Sequence, residues 1–145
     1  MSLSFGTREQ NQRFTRVGPD TPVGELVRRY WHPMAAAAQM GEQPVRKVRL
    51  LGEDLVLYRE GSGNLGLIDE PCPHRRVSKE YGISEQEGLR CSYQSCSSAT
   101  KAGAWSNPAE RWDSTLKDRI ITKAYTRSAH QYLRGRSGTR CPPPP

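Results

Sequence analysis

Cys72 and His74 stand two residues apart, 16 residues separate His74 from Cys91, and Gln94 follows Cys91 at the third position. A thiolate and an imidazole at this spacing can point into one site from a single tight turn. A matching turn can bring Cys91 to the same point. Mixed sulfur and nitrogen donors of this kind suit iron–sulfur clusters or zinc. Gln94 offers only an amide where a fourth donor of matching type would complete the set. Cys96 is a possible substitute that would give three thiolates and one imidazole, a set open to a cluster or to tetrahedral Zn²⁺, although Cys91-x4-Cys96 is not a strong zinc spacing. A plain alternative exists for the same residues: Cys72 and Cys91 as buried thiols of ordinary β structure.

Elements able to present two such turns lie just upstream. From Val45 the apolar pattern has period two, through Leu50. Gly52-Glu-Asp then reads as a turn into Leu55-Val-Leu-Tyr-Arg, and Glu60-Gly-Ser-Gly-Asn as a second turn into Leu65-Gly-Leu-Ile-Asp. This predicts three short antiparallel strands joined by hairpins. Between the ligand positions, Val77 to Gly82 is turn-rich and carries no long element. After Cys96 the pattern loosens around Trp105 and Trp112, and Arg119-Ile-Ile-Thr-Lys-Ala-Tyr alternates well enough for one more strand.

Further upstream, Asp20 or Thr21 can cap a helix with Pro22 in its first turn. Val23, Leu26, Val27 and Tyr30 recur at helical spacing as its apolar face. His32-Pro33 ends it, and His32 reads as a packed helix-end histidine rather than a ligand. Residues 1–14 show no period and predict no element, and Ala35 to Ala38 is helix-compatible but short. The expected organisation is an N-terminal arm over 1–44, a mainly β domain over 45–125, and a basic, proline-rich, disordered tail over 126–145. That tail holds Arg127, Arg134, Arg136, Arg140 and His130, ends in Cys141 and four prolines, and contains no acid.

A chain of 145 residues suits one domain. With 34% hydrophobic residues, 13 Gly and 11 Pro, the expected core is modest and the turns many. The net charge of +7 is concentrated in the tail, with no aromatic platform beside it, so nucleic-acid binding is not expected. No apolar run reaches membrane-span length and the N-terminus has no signal-peptide core, which predicts a cytoplasmic protein with no membrane partner. Four cysteines in such a compartment read as metal ligands or free thiols before disulfides.

Leu65-Gly-Leu-Ile-Asp-Glu-Pro-Cys-Pro-His-Arg and Gly88-Leu-Arg-Cys-Ser-Tyr resemble the two cluster-binding loops of Rieske non-haem iron oxygenases, in particular the large subunits of the phthalate dioxygenase type. The segments Thr15 to Pro33 and Lys47 to Arg59 resemble the same family. The likeness is dense from about residue 14 to 93, faint over 118–125, and absent beyond.

The resemblance implies a Rieske-like antiparallel β sandwich. In it, Cys72 and Cys91 would bind one iron of a [2Fe–2S] cluster and His74 the other, with Gln94 where the family has its second His. Arg76 stands where the family commonly has Gly, at a position whose backbone shape suits Gly. Gln94-Ser-Cys-Ser-Ser replaces a Gly-Trp-Lys-Phe-like run. Implied partners are a reductase component and the oxygenase's own catalytic domain. A mononuclear-iron site of two His and a carboxylate cannot be assembled from His32 and His130, so the chain alone is not expected to oxygenate an aromatic substrate. It would carry electrons, or else serve as a degenerate, cluster-free domain or assembly piece.

Overall fold

The computed structural model describes residues 6–36, 38–93, 95–98, 105–108, 111, 113–115, 120, 122–125 and 133–134. One sheet consists of three strands, β2 (Val45–Leu50), β3 (Glu53–Arg59) and β4 (Leu65–Asp69), paired antiparallel in that order; a short β1 (Trp31–His32) precedes them in the chain. β2 and β3 run from Val45↔Tyr58 to Leu50↔Glu53, which leaves only Leu51 and Gly52 in the turn, at φ 48° and 83°. Two positive φ values in a two-residue loop match the right-handed twist of the flanking strands. The turn therefore sits one position earlier than Gly52-Glu-Asp, and Glu53 and Asp54 belong to the strand.

β3 is the centre of the molecule. Leu55, Val56, Leu57 and Tyr58 are all buried, so both faces of this strand are covered. On one face Leu55, Leu57 and Leu67 pack with Met40 and Tyr125; on the other Val56, Tyr58 and Ile68 pack with Leu89. Leu89 belongs to a second antiparallel sheet, in the order β5 (Ile83–Glu85), β6 (Gly88–Arg90), β7 (Ser97–Ser98) and β8 (Trp105–Ser106). Tyr58 crosses between the sheets, its hydroxyl donating to the Ser98 carbonyl at 3.3 Å. Its ring lies flat against Gly66, where an added Cβ would come within 2.2 Å of the ring. Sheet against sheet with a shared apolar layer is the expected mainly β sandwich.

The segment expected as a further strand near 119–125 returns to the edge of β4 through one bridge, Ile68↔Ala124, and through Tyr125 N–H donating to the Leu67 carbonyl at 2.9 Å. Leu133–Arg134 (β9) pairs with Trp31–His32 (β1). The rest of the 126–145 tail, with His130 and Cys141, lies outside the described residues.

Three expectations for the arm need correction. Residues 8–15 form a helix, α1 (Arg8–Thr15), closed at its start by a capping box between Thr7 and Gln10. Capping supplied an element that hydrophobic periodicity could not reveal, because none of its residues is buried. α2 (Pro22–Val27) starts at the anticipated Thr21 cap, yet its apolar stripe does not form the packed face: Leu26 is 53% and Tyr30 62% exposed. Gly24 and Arg28 are buried instead. Arg28 ion-pairs with Glu53 and donates to the Leu51 carbonyl at 3.0 Å, which locks the arm onto the β2–β3 hairpin. The helix ends at Val27 rather than at His32-Pro33, and His32 lies in β1, its ring turned back so that Nε2 is 2.8 Å from the Val27 carbonyl. A short α3 (Gln39–Glu42) follows and delivers Met40 to the core.

Candidate metal centre

Two turns of matching backbone design carry the candidate ligands. In the first, Cys72 N–H donates to the Val77 carbonyl at 2.8 Å and Arg76 N–H to the Cys72 carbonyl at 2.8 Å. In the second, Cys91 N–H donates to the Cys96 carbonyl at 2.8 Å and Ser95 N–H to the Cys91 carbonyl at 3.1 Å. Each turn is clamped one residue outside these bonds, by Pro71↔Ser78 and by Arg90↔Ser97. Each also places its fifth residue in the left-handed region, Arg76 at φ 62° and Ser95 at φ 55°. Left-handed backbone costs a side-chain-bearing residue about 1–2 kcal/mol, so the shape is imposed by the clamps rather than by local preference.

The tips converge. Cys72, Cys91 and Cys96 are each 3% exposed or less and form one buried cluster, with Val77 and Ile120 against it. The Cys72 thiol is within hydrogen-bonding reach of both other thiols. Burial pushes the Cys72 thiol up, opposed by the His74 backbone N–H that bonds to its sulfur. Burial likewise pushes Cys96 up to about 11. His74 is partly buried and lines a narrow cleft shared with Cys72, Val77, Cys91, Tyr93 and Cys96. Gln94 lies outside the described residues. A larger cleft lined by Pro33, Met34, Gln39 and residues 46–50 contains no His, Cys, Asp or Glu.

Among the described residues, no group of three His, Cys, Asp or Glu side chains is arranged to hold a metal ion, whether zinc or iron.

Two groups escaped the sequence reading. Lys79, in a 3-10 turn (Lys79–Tyr81) after the first loop, is 1% exposed, and its ammonium has no hydrogen-bond partner among the described residues. Burial pushes it down to about 8, against the pull of Cys72, Asp69, Cys91 and Glu70. Nothing in a turn-rich stretch marks one lysine as interior. The second group is a tie between chain segments: the Tyr125 hydroxyl reaches Asp69 at 3.0 Å and Glu53 at 3.3 Å. Burial raises Asp69, and the Tyr125 hydrogen bond partly offsets this.

A profile for the Rieske [2Fe-2S] domain matches residues 30–112. The 5,5'-dehydrodivanillate O-demethylase oxygenase subunit of Sphingobium sp. is 46% identical over 120 residues, covering 81% of this chain and 28% of that protein. The phthalate 4,5-dioxygenase oxygenase subunit of Pseudomonas putida is 48% identical over 90 residues, covering 60% of this chain and 20% of that one. The chain thus spans about a quarter of the length of these curated relatives. Among solved structures, NdmA of Pseudomonas putida CBB5 superposes with a TM-score of 0.67 at 23% identity, covering 78% of this chain and 36% of that one. The oxygenase–ferredoxin complex of carbazole 1,9a-dioxygenase gives 0.62 at 21% identity, covering 78% and 30%. At these identities the superpositions speak for the fold.

The family's cofactor is a [2Fe–2S] cluster held by two thiolates and two imidazoles. Buried, touching thiols with a backbone N–H on the Cys72 sulfur and an orphaned ammonium nearby fit the two-thiolate half. The two-imidazole half has His74 and, at its second position, the amide residue Gln94. On its sequence match and its fold, the chain belongs to the Rieske [2Fe-2S] domain family, and it matches about a quarter of the length of two larger oxygenase subunits.

Proposed function

We propose that this chain is the electron-transfer domain of an aromatic-ring-hydroxylating oxygenase of the phthalate type, with Cys72 and Cys91 holding one iron and His74 the other. Bound there, a [2Fe–2S] cluster would take up one electron at a time and release it. The chain's own residues do the rest. The clamped turns fix the sulfurs, Pro73 stiffens the first tip, and burial excludes water from the thiolate side.

The observation that carries this reading is the convergence of two like-built loops on Cys72 and Cys91. Electrons would come from a ferredoxin or reductase component and leave toward a mononuclear iron in a catalytic domain. A ferredoxin complex exists for the carbazole 1,9a-dioxygenase oxygenase. Oxygenation itself needs ligands these residues do not supply, so the proposed role stops at electron carriage.

A second reading is favoured by one residue: with Gln94 in the fourth position, the domain would bind no cluster and act as an assembly piece or as a degenerate domain. Cys96, beside Cys72, is the available replacement thiolate. Anaerobic purification with iron and sulfide analysis separates the readings. Red-brown protein with about equal iron and sulfide and a reduced-state EPR signal supports electron carriage. Colourless, iron-free protein after reconstitution removes it.

A further inference from the structure

The second loop sets two cysteines face to face. The register of β6 and β7, Leu89↔Ser98 and Arg90↔Ser97, continues one step to place Cys91 directly opposite Cys96. The Cys91 N–H, donating to the Cys96 carbonyl at 2.8 Å, holds them there. Directly opposed residues of an antiparallel pair have Cα atoms about 4.5–5.5 Å apart and side chains on one face. A disulfide needs about 4.4–6.8 Å between Cα atoms, so this backbone suits a bridge. The side chains agree: both thiols lie in one buried cluster and line one narrow cleft, and neither is in a disulfide.

The first loop is a control within the same molecule. Its opposed pair is Cys72 and Val77, with the same backbone bond at 2.8 Å. An aliphatic side chain therefore satisfies that place, and packing alone does not call for the thiol of Cys96. Cys72 shares the cluster, but it belongs to the other loop and stands opposite Val77. The tip between Cys91 and Cys96 reaches water, with Ser92 exposed and Tyr93 61% exposed. Exposed tips open locally at less cost than core strands, which gives a small oxidant its route to the sulfurs.

We propose that Cys91 and Cys96 are a reversible dithiol/disulfide pair, a latch on the second loop that hydrogen peroxide closes and a small monothiol opens. In closing, one sulfur attacks a peroxide oxygen, the O–O bond breaks, and a sulfenic acid and water form. The other sulfur then attacks the sulfenic sulfur. The S–S bond forms, the S–O bond breaks, and a second water leaves with the remaining thiol proton. The pair of thiols thus gives two electrons to one peroxide. Opening is a pair of thiol–disulfide exchanges, in which two monothiols become their own disulfide. The latch rests on the geometry of the loop and is present in protein without metal. A bridged sulfur is no longer a thiolate, the form that binds metals, so closing the latch withdraws Cys91 from that role.

The experiment uses the full chain, reduced and freed of metal with a chelator, then treated with stoichiometric hydrogen peroxide. Remaining thiols are capped with N-ethylmaleimide, and tryptic peptides are read by mass spectrometry. Cleavage after Arg90 and Lys101 puts Cys91 and Cys96 on one peptide and leaves Cys72 and Cys141 on others. The expected main product is peptide 91–101 bridged within itself. It should return to the doubly capped form after glutathione, vanish in Cys96→Ser and persist in Cys72→Ser. Bridges mainly to Cys72 or Cys141 overturn the inference, as do thiols that stay capped or stop at sulfinic acid. An internal bridge no more abundant than in the same reaction in urea also overturns it, because the fold would then contribute nothing. The wild-type product map decides even if a variant fails to fold. Iron loading is not read, so the electron-carrying role stands or falls separately.

Discussion

The two ligand loops share a backbone and differ in their side chains. Loop 72–77 carries Cys72 and His74 of the proposed site, with Val77 packed against the thiols. Loop 91–96 has the same hydrogen bonds, the same clamp and the same left-handed fifth residue. It keeps Cys91 but carries Gln94 and Cys96 where an imidazole and a large apolar residue are expected. The difference teaches that the turn is specified by its flanking strand pairs, not by its tip. The ladder at Arg90↔Ser97 preserves the shape after the tip chemistry has changed.

That contrast can be broken first at the sulfurs. Cys72→Ser and Cys91→Ser should each reduce reconstituted iron to background, since each removes half of the thiolate pair; iron analysis after desalting is the check. If either variant retains wild-type iron, the loops do not act as one site. Gln94→His should equalise the loops. Losing even an outer partner of a ligand costs about 10–100-fold in metal affinity, so restoring a ligand should slow chelator-driven iron loss by at least about 10-fold.

Tyr125→Phe strains only the first loop, because Asp69 lies on the strand that leads into Glu70-Pro71-Cys72. Loss of one hydroxyl that serves two carboxylates should cost about 1 kcal/mol in urea unfolding. The hydrogen bond now pulls the Asp69 pKa down against burial, so the variant should move it further up in an NMR titration. The sign for stability follows. A carboxyl raised in the folded state binds its proton more tightly there, so stability from Asp69 is greatest in acid and falls as pH rises through its folded pKa. The fall should extend to higher pH in Tyr125→Phe.

The smallest effects belong to the left-handed residues. Arg76→Gly and Ser95→Gly should each stabilise by about 0.5–1 kcal/mol, the relief of left-handed strain less the backbone entropy of glycine. Equal gains would confirm that the clamps impose one shape on both loops. A gain at Arg76 alone would show that the second tip has relaxed.

Much of this arrangement could be read in the chain beforehand. The period-two runs at 45–50, 55–59 and 65–69 became β2, β3 and β4, and the Cys72, His74 and Cys91 spacing pointed to two facing turns. Arg76 in a glycine-like position was legible too, and its φ of 62° bears this out. Misreadings came where the signal is not periodic. α1 rests on a cap and buries nothing, and α2 turns Gly24 and Arg28 inward because a close backbone contact and an ion pair replaced its apolar stripe.

The sequence by itself determined the donor types, their spacing and the strands that carry them, because ligand chemistry and alternating burial are written in neighbouring residues. Only the tertiary structure decided that Cys96 joins the other two thiols, that Lys79 is buried, and that Tyr125 ties Asp69 to Glu53. Each of those contacts joins segments that meet only after the sheets have packed, and no local pattern encodes a meeting of that kind.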